Sequence, residues 1–403
     1  MPGTSPGKTD RGEFQRPANH PSLTRVSARP HTFYEFFAGG GMARAGLGED
    51  WTCLFANDFD PVKAWTYRAN WPGDHFHEGD VHALTPSDLP GHADLAWASS
   101  PCQDFSLAGL RKGLAAGTRS SAFWGFWSLM KGLNAEGRAP RVIVIENVVG
   151  LLTSHGGADF TALCQALAEE GYRFGALEID AALFVPQSRP RLFVVATRGP
   201  IPAHLTATEP HLFFRSRRIS EAHSRLPISL QKHWVSWRAP GSRPSNIGLA
   251  GLLDRDAVWA SDAFTARLLS QLSPLQSERL AVERKARERR VGMAFRRTRT
   301  EGGRRVQRAE VRFDGLAGCL RTPGGGSSRQ FVLEVEGEST RSRTLTAREG
   351  ARLMGLREDY RLPRGEIAGL KVVGDGVVVP VVRALTEALL APLLVTEALA
   401  AAE

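Results

Sequence analysis

Between His31 and Arg198 the sequence alternates short, almost uninterrupted apolar runs with stretches of helical periodicity, and that alternation leaves few architectures open. The runs are FYEFFA, CLFAND, HFHEGD, ADLAWAS, RVIVIEN and RLFVVAT. A strand with one wet face alternates apolar and polar residues, whereas continuous apolar character requires burial on both faces. The fold expected is α/β, a Rossmann-like doubly wound, mostly parallel sheet with helices above and below. Ligands in such sheets sit at the carboxyl ends of the strands, so the residues bordering each run carry the functional argument.

The pattern breaks after Arg198. Residues 199–340 intersperse Pro, Ser and Arg with little regular alternation, and read as a smaller, loop-rich second domain. From Arg343 a helical pattern (TLTAREGARLMGL) returns, followed by VVGDGVVVP, which reads as a strand-like run with turn glycines. The 403 residues leave room for two or three domains. The first thirty, rich in Pro, Ser, Gly and Arg, read as a flexible tail without the apolar segment of a signal peptide. Val377 to Val395 is broken by Pro380, Arg383, Glu387 and Pro392, so no membrane span is expected. Four cysteines without CxxC spacing suit a reducing cytoplasm and offer no metal ribbon.

The net charge of +9 is placed unevenly: Ala281 to Arg308 holds eleven Lys and Arg against three Asp and Glu. A local field of that sign favours a polyanion over general solubility, with a solvated basic face as the plain alternative.

Chemistry-bearing residues recur at the strand ends. The first run enters Phe37-Ala38-Gly39-Gly40-Gly41 and then a helix, a turn in which a nucleotide-like group can lie against bare backbone; Arg44 stands where a dinucleotide fingerprint needs its third glycine. Asp58 is placed to accept from ribose hydroxyls, Phe59 to stack on an adenine, and Asp80 adds a carboxylate one strand later. Cys102 follows Pro101 at the fourth strand end, positioned like a nucleophile. Glu146 ends the fifth, where desolvation favours a general acid. Arg189 and Arg191 put two permanent cations at alternate positions of an extended segment. The segment Asp104 to Ser120, with three glycines and three cations, reads as a mobile lid, and Gly324, Gly325 and Gly326 as a site of close backbone approach.

The ordered set FAGGG, ND, GD, PCQ, ENV, QSRPR, LTAREGARLMG and GDGVVVP resembles the DNA (cytosine-5) methyltransferases. The resemblance implies the S-adenosylmethionine-dependent methyltransferase fold, S-adenosyl-L-methionine as cofactor and double-stranded DNA as substrate. It further implies a catalytic and cofactor-binding domain over 31–198, a target-recognition domain over 199–340, and a segment over 341–403 that returns to the first. Carried over, Cys102 attacks carbon 6 of a flipped-out cytosine, Glu146 engages ring nitrogen 3, Arg191 holds the exocyclic oxygen and Arg189 orders the site. The cofactor contacts implied are Phe37, Gly39, Gly41, Asp58, Phe59, Asp80, Pro101, Gly376 and Val377. The last motif departs from the family: Asp375 stands where Asn is usual, an acceptor in place of a donor and acceptor. A monomeric cytoplasmic enzyme of a prokaryote or phage, with or without a separate cognate restriction endonuclease, is the corresponding expectation. Two other readings use the same residues, an RNA (cytosine-5) methyltransferase and a catalytically silent DNA-binding relative; the latter has no need of both Cys102 and Glu146.

Overall fold

The structure, a computed structural model, describes residues 30–101, 122–207, 216–238, 240–242, 244–286, 288–322 and 329–400, the last five by backbone alone. Cys102, the lid segment and Gly324 to Gly326 lie outside the described residues.

Seven strands form one sheet: β1 (His31–Phe36), β2 (Trp51–Asp58), β3 (Phe76–Glu78), β4 (Leu95–Ala98), β5 (Val142–Asn147), β6 (Arg173–Asp180) and β7 (Pro190–Thr197). Their order is β3-β2-β1-β4-β5-β7-β6, parallel except for β7, which runs against both neighbours. The apolar runs explain the layering. Alternate residues of one strand divide between two cores, Phe33, Trp97, Val144 and Val195 on one face, Tyr34, Ala98, Ile145 and Val194 on the other. The second face is covered by the buried sides of α3 (Ala122–Ala135), α4 (Ala158–Glu169) and α5 (Arg217–Arg225). The first is covered by α1 (Met42–Leu47) and α2 (Pro61–Asn70) together with helices from the far end of the chain.

Those late helices correct the strand expected at VVGDGVVVP. The segment is helical, in α9 (Glu366–Asp375) and α10 (Val379–Leu385), after the expected helix α8 (Ala347–Leu353). Val372 and Val373 of α9 and Val379, Val381 and Val382 of α10 are buried, as are Val377 and Val378 in the non-helical link between them, and burial of the helices' valines in the core overrides the strand preference of β-branched residues. Glu366–Val395 has the length and hydropathy to cross a membrane, but 67% of its most apolar window is buried in this core.

The region read as loop-rich contains a four-stranded antiparallel sheet, β8 (Arg290–Glu301), β9 (Arg304–Arg312), β10 (Gln330–Glu336) and β11 (Ser339–Thr344), in the order β11-β10-β8-β9. β11 straddles the 340/341 boundary, so this sheet ends at Thr344. One face packs Ala294, Val311, Phe331 and Leu333 against α6 (Asp262–Leu269) and α7 (Pro274–Lys285) through Leu268 and Leu280. The other sends Met293 and Val332 into the first core.

Candidate active site

β1 ends in a strained turn. Phe37 has φ +56°, Gly39 +57° and Gly41 +79°, left-handed conformations that glycine adopts at no steric cost and phenylalanine does not. The three glycines have different jobs. A side chain at Gly40 would collide with the Tyr360 hydroxyl, which donates to the Gly40 carbonyl at 2.7 Å, and one at Gly41 would strike Trp71. Gly39 faces open space. The backbone there is bare on its outer side and fixed on its inner side, where its N–H donates to Asp58 Oδ2 at 2.9 Å.

Asp58 is buried, and its other oxygen accepts from the Asp60 N–H at 2.9 Å, so one carboxylate ties the first strand's turn to the second's. Burial raises its pKa against the pull of Lys63 and these backbone donors. Phe59 beside it is 68% exposed, a large apolar face left in water at a strand end. Asp60 caps α2 through the Val62 and Lys63 N–H groups and pairs with Lys371 at 2.6 Å. Asn57 donates to the His77 and Gly79 carbonyls, fixing the approach to Asp80, whose side chain accepts from the His82 N–H at an exposed turn. Gly39, Phe59, Asp80 and the exposed Pro101 thus follow neighbouring strands β1, β2, β3 and β4. Arg44, the residue that spoils the dinucleotide fingerprint, is half-buried, donates to the Tyr67 hydroxyl at 3.2 Å and lies over Trp71, 4.9 Å from its ring centre.

The second cluster forms where β5 ends and the reversed β7 begins. Because β7 runs antiparallel, its first residues reach the rim that the parallel strands reach with their last. Glu146 Oε1 lies 3.2 Å from Arg191 Nε, both largely buried. Asn147 donates to the Ser100 carbonyl at 3.0 Å, anchoring the start of the Pro101-Cys102 segment to the end of β5. Arg189 is fully enclosed and does not share the role of Arg191. It donates to the carbonyls of Leu320 (2.6 Å), Gly374 (3.0 Å) and Gly376 (2.7 Å), and burial, then the Arg191 charge, lower its pKa to about 10. Gln187, also buried, takes the Leu320 N–H and donates to the Leu353 carbonyl. Through these two side chains the QSRPR segment clamps the last motif, Gly376 and Val377 included, onto the sheet.

Sequence reasoning missed two neighbours. Cys319 lies 3.5 Å from Arg189 and 3.9 Å from Arg191, and lines a cleft of about 550 Å³ with Pro190, Arg296, Arg305 and Arg321. Lys63 pairs with Asp375 at 2.8 Å, and the Thr322 hydroxyl donates to the other oxygen of Asp375. The acceptor-only side chain at the departing position is therefore met by a cation and a hydroxyl. Neither pairing has a signal at short range in the sequence.

The sequence pattern of the C-5 cytosine-specific DNA methylases matches residues 31–391. The Type II methyltransferase M.BsuFI of Bacillus subtilis is 36% identical over 166 residues, which cover 41% of this chain and 38% of that protein. M.NlaX of Neisseria lactamica, also a Type II methyltransferase, is 25% identical over 366 residues, covering 89% and 96%. The fold is shared with the Dnmt2 methyltransferase of S. pombe, with a TM-score of 0.56 at 17% identity over 90% of this chain and 99% of that one. It is shared equally with the Entamoeba histolytica methyltransferase EhMeth, at 0.56 and 15% identity.

Proposed function

Because the chain belongs to the C-5 cytosine-specific DNA methylase family, we propose that it transfers a methyl group from S-adenosylmethionine to carbon 5 of a cytosine flipped out of a specific duplex sequence, through a covalent adduct at Cys102. The observation that carries this reading is the Glu146–Arg191 pair beside the anchored entry to the Pro101-Cys102 segment. It supplies an acid and a cation where a cytosine presents ring nitrogen 3 and its exocyclic oxygen.

The residues fit the cofactor. The open backbone at Gly39, the exposed Phe59 ring and the rim positions Asp80 and Pro101 support a cradle for a nucleoside, to which this reading also assigns Phe37 and the inward-lying Gly41, Gly376 and Val377. When bound, S-adenosylmethionine supplies an electrophilic methyl group. Asp58 holds the backbone on which it lies and offers its remaining lone pairs to ribose hydroxyls.

Carbon 5 of cytosine is a poor nucleophile. Thiolate addition from Cys102 at carbon 6, with the proton of Glu146 at nitrogen 3, makes the ring enamine-like and able to take the methyl group. Removal of the carbon 5 proton then expels the Cys102 sulfur and restores the ring. Arg191 holds the exocyclic oxygen and, through its pair with Glu146, the orientation of the acid; Arg189 sets the segment that carries it. Extrusion of the base costs a few kcal/mol, offset by contacts of the basic cleft with the duplex. The sheet of β8–β11 belongs to the target-recognition region in this reading, and the enzyme acts as a cytoplasmic monomer. The Type II relatives and the DNA family favour DNA over RNA as substrate.

Fluorine at carbon 5 blocks the elimination step, so duplex DNA with 5-fluorocytosine at the target and S-adenosylmethionine should trap a complex stable in denaturing gels, linked at Cys102. Cys102→Ser should trap none. An adduct at Cys53, Cys164 or Cys319 would overturn the assignment.

A further inference from the structure

The β8–β9 hairpin outgrows its sheet. β10 pairs with β8 only from Arg290 to Phe295, whereas β8 and β9 stay paired from Arg296 opposite Ala309 to Glu301 opposite Arg304. Six residue pairs therefore form a two-stranded ribbon with no third strand, about 20 Å long at roughly 3.3 Å per residue. It closes through Gly302 and Gly303, both at positive φ, as a tight hairpin turn requires. A two-stranded ribbon of this kind fits the major groove of B-form DNA.

Its two faces are chemically unequal. Residues directly opposite one another share a face. One face carries Arg297 opposite Arg308, Arg299 opposite Val306 and Glu301 opposite Arg304. Three of its four arginines are paired within the face: Glu310 takes Arg299 at 2.5 Å and Arg297 at 3.6 Å, and Glu301 takes Arg308 at 2.5 Å, which leaves Arg304 without an ion pair among the described residues. The other face carries Thr298 opposite Gln307 and Thr300 opposite Arg305, and none of these four side chains makes a hydrogen bond or ion pair among the described residues. At the root of that face Arg296 is committed to the Phe264 and Phe331 rings, 5.7 and 5.0 Å from their centres. Thr298 and Arg305 border the cleft that also holds Pro190 and Cys319, together with Phe295, Arg297 and Arg312 of the opposite face.

We propose that this unspent face reads base edges in the major groove, and that Arg305 is the residue that selects a guanine in the target sequence. A surface built only to neutralise phosphate needs cations; two threonines and a glutamine beside one arginine match the donor and acceptor patterns and methyl groups of bases instead. Arginine pairs bidentately with guanine O6 and N7, and glutamine with adenine N6 and N7. The inference rests on the methyltransferase reading for the identity of the polymer.

The full-length protein and its Arg305→Ala, Arg305→Gln and Arg299→Ala variants would each select bound sequences from a random duplex pool, with 5-methylcytosine mapping after expression in a methylation-free bacterial host. The unmodified protein should enrich one motif containing a guanine, and Arg305→Ala should lower preference at that single position by roughly 10- to 100-fold. Arg305→Gln should move that position toward adenine, a gain that misfolding cannot mimic. Arg299→Ala should keep the motif. An unaltered motif in both Arg305 variants, or equal relaxation by Arg299→Ala, would overturn the proposal. A selected motif without any 5-methylcytosine in the host would overturn the enzymatic reading and leave the ribbon's role standing.

Discussion

Lys63 and Asp375 meet from opposite ends of the sequence, and each is costly without the other. Burial alone would lower the Lys63 pKa, but Asp58 and Asp375 hold it above the ordinary value. Lys63→Met should cost about 1–3 kcal/mol in denaturant unfolding, since it strands a partly buried carboxylate. Asp375→Asn alone should cost less, and the double variant should fall short of the sum by about 1 kcal/mol; strict additivity would mean the pair is energetically idle. A second buried acid has the opposite preference. Glu35, enclosed behind the glycine turn, has its pKa pushed up to about 8 by burial, against the nearby Arg44 charge and the Arg44 N–H. The folded state then holds a proton that the unfolded state releases near 4.5, so this contribution is complete below that pH and declines as pH rises to about 8. Glu35→Gln, which keeps the acceptor and removes the titration, should gain stability relative to the parent between pH 5 and pH 8 by urea midpoints. A constant difference would show that Glu35 is ionised throughout.

Elements differ in how plainly they are written. β1, β2, β4, β5 and β7 are legible because burial on both faces leaves nearly unbroken apolar runs, and the short edge strand β3 because it leads into Gly79-Asp80. β6, RFGALEID, is interrupted by Arg, Gly and Glu, which an edge position permits, and it escapes a search for continuity. The ribbon sheet escapes for the same reason: its strands are rich in arginine because much of their length faces water. The valines of α9 and α10 mislead in the other direction, since complete burial suits either structure. At the site, Glu146 and Arg191 are legible from their positions at strand ends, whereas their pairing depends on the reversal of β7, and the clamp made by Arg189 depends on three carbonyls far along the chain. Arg189→Met should cost about 3 kcal/mol or more, because it leaves buried carbonyls of Leu320, Gly374 and Gly376 unpaired. Hydrogen exchange should rise locally around 318–322 and 374–378. A loss of stability with no local increase there would contradict the clamp.

Over the whole molecule the excess charge is concentrated where the cleft opens. Arg296 is held by aromatic rings, and Arg297, Arg299 and Arg308 of the opposite ribbon face are paired with Glu310 and Glu301, so the cations left for a phosphate backbone include Arg304 and Arg321, for which no ion pair is formed among the described residues. Replacing both with Gln should lower the salt slope of binding to non-specific duplex by about 2, roughly 0.9 for each phosphate no longer neutralised. An unchanged slope would place both away from the backbone.

The closure of the first core has a consequence in time. Gly46 of α1 lies directly against Val382 of α10, and Gly376 against Met42, so the apolar side of the first helix is covered by residues more than three hundred positions later. At roughly 5–20 residues per second, translation separates the two by on the order of 20 to 60 seconds. Met42, Ala43 and Leu47 lack these partners throughout that interval, whereas the strands of the ribbon sheet are all made once Thr344 is added, toward its end. The four-stranded sheet can therefore pair its strands on the ribosome before the first core is closed by α10.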